Sequence, residues 1–203
     1  MMENLMHMTD EQKAEHVVAL IGEMRENSQE MRQWKNVVLA RECHELLRLI
    51  SDREASAGMA LALSAIIEQL PEYDMPRFVL TLLHYEWELL QAAGEQEAGD
   101  YPTSADVEAH IRRLEDYIDT EHVSTSDFME RYQRHLKFDP VERTPEWEAI
   151  YLEVEQECDR RLGDTPRGMG FCFGFWSTLR EVLAEQGITW HSPSELNPRV
   201  MFD

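Results

Sequence analysis

Residues 54–70 constrain the fold more than any other stretch of the chain. Met59, Leu61, Leu63, Ile66 and Ile67 recur among Ala55, Ala57, Gly58, Ala60, Ala62 and Ala65, leaving no polar face. A helix that is apolar all round is normally buried among other helices, and small residues let those neighbours approach closely. The uncharged run from Ala55 to Ile67 is too short to cross a bilayer, which takes about 20 residues. Pro71 ends it, because proline has no N–H to donate. The segment reads as the central helix of an all-α protein.

The flanks supply its partners. Thr9 and Gln12 form a capping-box pattern ahead of the stripe Val17, Leu20, Ile21 and Met24. A second helix is expected from about Gln29 to Ile50. Asp74 and Pro76 open a fourth, in which Phe78, Val79, Leu82, Tyr85, Leu89 and Leu90 recur at helical spacing. Ser104 caps a fifth through about Thr120, and Ser126 a short sixth. Trp147, Ile150, Tyr151, Val154 and Cys158 mark a seventh, closed by Gly163. An eighth runs from about Gly170 to Gln186, with Gly187 in the usual position after a helix. No strand-like alternation stands out. The tail has Pro193 and Pro198 and no helical period, but Trp190, Val200, Met201 and Phe202 are too apolar for a solvated end. It should pack back across the helices. The expectation is one compact all-α domain, 1–203, of about eight helices around the buried Ala-rich helix, with a non-helical C-terminal tail. If it divides into two lobes, the loop at 94–103 is where they part.

Charge narrows the function classes. Forty acidic residues face nineteen basic ones, a net charge of −21, and residues 51–100 alone hold ten acids and two bases. Such a field repels nucleic-acid phosphate and anionic lipid, and attracts a basic partner, a cationic ligand or a metal ion. Cys43, Cys158 and Cys172 are odd in number and far apart. That is neither a disulfide framework nor zinc-finger spacing, and it fits reduced thiols in a cytoplasm. Met1 to Asp10 lacks the basic and apolar regions of a signal peptide.

Three patterns carry candidate chemistry. Glu115, Asp119 and His122, at i, i+4 and i+7, would share one helix face beside the buried stripe. These are ligand types for a divalent metal, although no second Glu-x-x-His copy is present. Thr81, His84 and Glu88 share a face of the fourth helix, where a His–Glu pair suits acid–base work but more often makes a surface ion pair. Arg167, Gly168 and Gly170 precede a helix and offer backbone donors to an anion. The dinucleotide and P-loop fingerprints are missing, and Gly170 and Gly174 more simply allow close packing. Cys172, between Phe171 and Phe173, reads as an inert thiol.

The leading expectation is a non-enzymatic binding or regulatory protein that holds a basic protein partner on an acidic surface. Glu68, Glu72, Asp74, Glu86, Glu88, Glu95, Glu97 and Asp100 would form that surface. The alternative is a metal-dependent or small-molecule enzyme in a helical bundle, with Glu115, Asp119 and His122 in its site. The sequence requires no cofactor.

Overall fold

The computed structural model describes residues 7–52, 55–94 and 102–202. Among them are nine α-helices, eight of seven residues or more, and no strand. They are α1 (Asp10–Gln29), α2 (Asn36–Arg48), α3 (Ser56–Ile67), α4 (Pro76–Ala93), α5 (Ser104–Ile118), α6 (Thr125–Arg131), α7 (Pro145–Leu162), α8 (Phe171–Glu185) and α9 (Pro193–Leu196). No helix among these residues is long and apolar enough to cross a membrane. The chain separates into two compact units. Unit 1 comprises residues 1–72 and 77–114, and unit 2 comprises 73–76 and 115–203. The loop at 94–103 falls largely on residues 95–101, outside the described residues.

In unit 1, α1, α2 and α3 pack on one another. The Thr9–Gln12 capping box forms as the sequence predicts. The second helix does not start at Gln29. α1 runs on to that residue, Met31 turns the chain at a positive φ of 55°, and a short 3-10 turn leads into Asn36. Asn36 is fully buried and explains the break. Its Nδ2 donates to Met24 O at 3.0 Å and Gln69 O at 2.9 Å, while its Oδ1 accepts from Asn27 Nδ2 at 3.0 Å. A buried amide must find such partners, so it fixes α1, α2 and the end of α3 together. The Ala-rich helix α3 buries one face, through Met59, Ala60, Leu63, Ile66 and Ile67, and leaves Gly58 and Leu61 exposed. It is therefore not enclosed on every side. Uniform apolarity does not decide which face the neighbours cover.

Unit 2 has two buried clusters. Tyr117, Val123, Phe128 and Phe138 form one. Trp147, Val154, Cys158, Leu179, Val182, Leu183 and Trp190 form the other. Arg143, only 2% exposed, organises the first. Its guanidinium donates to the carbonyls of Tyr117 at 2.6 Å, Asp116 at 3.1 Å, Asp119 at 3.3 Å and Val123 at 2.7 Å. Two of these, on Asp116 and Tyr117, are carbonyls that the last turn of α5 leaves without helical partners, and a cation there also suits the helix dipole. Ser124, not Ser126, caps α6. The tail packs back as expected: Trp190 is 4% exposed in the second cluster, and the Phe202 ring meets Trp176 at 5.2 Å. It also carries the single turn α9.

Candidate functional site

The local structure of α7 builds the first wall of a cavity in unit 2. Thr144 caps the helix by accepting the Trp147 N–H at 3.3 Å, and Pro145 occupies its first position. Helical spacing then turns Trp147, Tyr151, Val154 and Cys158 inward. Glu155 lies four residues beyond Tyr151, so it is carried beside the same buried stripe.

Two more carboxyls arrive from elsewhere. Asp139 and Glu142 form a capping box around the 3-10 turn Pro140–Arg143, which sets the Glu142 side chain. Glu142 Oε1 also accepts the indole N–H of Trp190 at 2.8 Å. Trp190 reaches it because α8 ends in a tight reversal. Gly187, at φ 79°, donates to Ala184 O and Ile188 donates to Leu183 O, the Schellman pattern that only a residue comfortable at positive φ closes without strain. The third carboxyl, Asp74, accepts the indole N–H of Trp147 at 3.1 Å. The two indoles lie 6.2 Å apart, tilted by 30°.

Asp74, Glu142 and Glu155 all line one cavity of about 210 Å³. Its other walls are Trp147, Trp176, Trp190, Tyr151 and Phe175, with Ile150, Val154, Leu179, Leu183 and Pro193. No lysine, arginine or histidine lines it. Burial pushes all three carboxyls up. Asp74 rises to about 6, although the Trp147 N–H and Arg134 oppose the shift. Glu142 rises to about 7, with Asp74 adding to burial and Trp190 opposing it. Glu155 rises to about 8, with Asp74 again adding and Arg167 opposing. Among the described residues no hydrogen bond reaches the Glu155 carboxyl. Near neutral pH the three are not all ionised, and each ionises more readily once a positive charge enters the cavity. Burial lifts the neighbouring Cys158 thiol to about 12, so it is not a nucleophile at neutral pH.

The residues expected from sequence lie elsewhere. α5 ends at Ile118, so Glu115, Asp119 and His122 do not share a continuous helix face. Glu115 and His122 are exposed. His122 Nδ1 lies 2.9 Å from Asp119 Oδ1, and the His122 backbone N–H donates to the same oxygen at 3.1 Å, which makes a surface turn. Among the described residues no group of three or more His, Cys, Asp or Glu is placed to hold a metal ion. His84 and Glu88 are both exposed on α4, and no ion pair joins them. Arg167 pairs with Asp159 and lies 4.9 Å over the Phe171 ring. Gly170 caps α8 at φ 79°, and Gly168 O accepts the Phe171 N–H. The guanidinium expected to meet an anion is thus already committed to a carboxylate.

The acidic stretch does not form one surface. Glu68 and Glu88 are exposed, whereas Glu86 is 2% exposed and accepts a hydrogen bond from Ser64. Glu72 is half-buried between His110 Nε2 at 3.2 Å and Arg113 Nη2 at 3.0 Å. Asp74 faces the cavity of the other unit. Glu95, Glu97 and Asp100 lie outside the described residues.

Sequence reading missed Glu142, Glu155, Trp147 and Trp190 as site residues. Glu155 left a signal, a charge set on an apolar stripe. Comparison of the chain with protein-family models, curated proteins and solved structures gives no match. The geometry of the cavity therefore carries the reading of the site.

Proposed function

We propose that unit 2 is a receptor for a small organic cation and that the protein is a binding protein rather than an enzyme. One observation carries this reading: three carboxyls face a single aromatic-walled cavity whose lining contains no cationic side chain. A cation over an aromatic face gains about 0.5–2 kcal/mol, and more where water is excluded. Ionised carboxyls add direct attraction in the same low-dielectric setting. The net charge of −21 steers cations toward the molecule over longer range. Binding is the reading because negative charge and aromatic faces are what the lining offers, and both recognise a cation without reacting with it.

The test is thermal unfolding at pH 8 with small organic cations, their neutral isosteres and matched anions. A cation at 100 times its Kd should stabilise the fold by about 2.7 kcal/mol, with neutral isosteres at least about tenfold weaker in affinity. Tryptophan emission should change along with it, since Trp147, Trp176 and Trp190 line the cavity. Equal stabilisation by the neutral isosteres, or none by any cation, would refute the proposal.

A further inference from the structure

Accepting that unit 2 receives a cation, we infer that its ligand is a protonated primary or secondary amine carrying an apolar body about one aromatic ring in size, held through its N–H donors by Glu155, with Asp74 and Glu142 on the same cavity wall. Asp74 Oδ1 takes the Trp147 indole N–H, and Glu142 Oε1 takes the Trp190 indole N–H and, at 3.4 Å, the Asp139 backbone N–H. The second oxygen of each carboxyl accepts no hydrogen bond from the described residues, and neither does either oxygen of Glu155. A carboxylate can accept about four hydrogen bonds, and an ammonium offers three donors. An ammonium entering the cavity can therefore give an N–H to the Glu155 carboxyl, while Asp74 and Glu142 on the same wall add their charge. A quaternary ammonium gives none, so it would gain the attraction of the charges but no hydrogen bond to Glu155. A bare metal ion would find no group of three ligands placed to hold it among the described residues, and would leave the aromatic and aliphatic walls without a partner.

The walls set the rest of the ligand. Beyond the carboxyls the cavity is lined by Phe175, Trp176, Ile150, Val154, Leu179 and Leu183. A buried apolar cavity of about 150 Å³ accepts benzene. A cavity of about 210 Å³ holds such a ring with a short arm that carries the nitrogen. Large or branched polyamines exceed that space, and short hydrophilic amines would leave the apolar walls uncovered.

The experiment is titration calorimetry on the full chain at pH 8, with 2-phenylethylamine and its N,N,N-trimethyl derivative as probes. The primary amine should bind at least about tenfold tighter than the quaternary one. Glu155→Gln should weaken the primary amine by about tenfold or more and the quaternary one by much less. This variant resembles the protonated form of Glu155, so it should fold, and circular dichroism checks that it does. Equal or tighter binding of the trimethyl compound, or equal losses for both in Glu155→Gln, would overturn the amine assignment while leaving the cation receptor standing. No binding of either probe, when other cations in the panel still stabilise the fold, would also overturn it. Failure of every cation would bring down the receptor reading itself.

Discussion

Glu72 in unit 1 and Glu155 in unit 2 are both half-buried glutamates, and their carboxyls are shifted in opposite directions. Burial pushes Glu72 up, but His110 and Arg113 together outweigh it and leave the carboxyl below its ordinary value. Burial pushes Glu155 to about 8, Asp74 adds to the rise, and only Arg167 opposes it. Glu86, buried beside Ser64 with His110 near it, is also raised, so one neighbouring imidazole does not offset deep burial. Burial therefore acts on both units alike, and the local supply of cations decides the outcome. Unit 1 provides its own partners for Glu72, whereas the cavity wall of unit 2 provides none. That asymmetry supports the proposal that unit 2 takes a cation from outside.

A cation of its own on the cavity wall would remove the difference between unit 2 and unit 1 most completely. Ile150 is half-buried on the cavity wall, so Ile150→Lys can place an ammonium among the three carboxyls while its stem covers the same apolar surface. Amine affinity should fall about 100-fold, or about 2.7 kcal/mol, in calorimetry at pH 8. Unchanged affinity would show that the wall charge does not hold the ligand.

A smaller effect separates the two glutamates by pH. A carboxyl raised in the folded state contributes stability that is fully present below its unfolded value near 4.5. That stability is lost as the pH rises through the folded value, about 8 for Glu155. Glu155→Gln should therefore raise the unfolding midpoint by a few degrees at pH 8, equivalent to about 1–3 kcal/mol, and leave it unchanged at pH 4. A midpoint that does not rise at pH 8 would mean that burial does not strain this carboxyl.

The smallest effect has the opposite sign. Glu72 is lowered, so its contribution is present above about pH 4.5 and fades as the pH falls through its folded value. Glu72→Gln should destabilise the chain by about 1 kcal/mol at pH 7 and by less at pH 3, read from urea midpoints. A stabilising effect at pH 7 would erase the contrast between the units.

Some of the site was legible in the sequence. Glu155 follows Tyr151 by one helical turn, and Glu86 sits at i+4 from Leu82 in the stripe of α4, so each is a charge set into an apolar face. Counting acids along residues 68–100 hid this, because a charge count records sign and not direction. Asp74 is near Glu72 in sequence, yet the one belongs to the unit 2 cavity and the other is neutralised in unit 1. Trp147 and Trp190 read as core anchors, which they are, but their indole N–H groups also hold two of the carboxyls.

Sequence by itself determined the helical class, the eight principal helices and several of their ends. These depend on interactions within about four residues: the Thr9–Gln12 box, the proline that opens α4 and the glycine after α8 all act locally. It also pointed to the return of Trp190 to the core, since an indole in a solvated tail is costly. Tertiary structure alone decided that Asp74, Glu142 and Glu155 share a cavity. They come from a short segment before α4, a 3-10 turn and the middle of α7, and no local rule relates them. Their raised pKa values exist only once packing removes water from all three together, and desolvation of that kind is a property of the folded interior rather than of any stretch of chain.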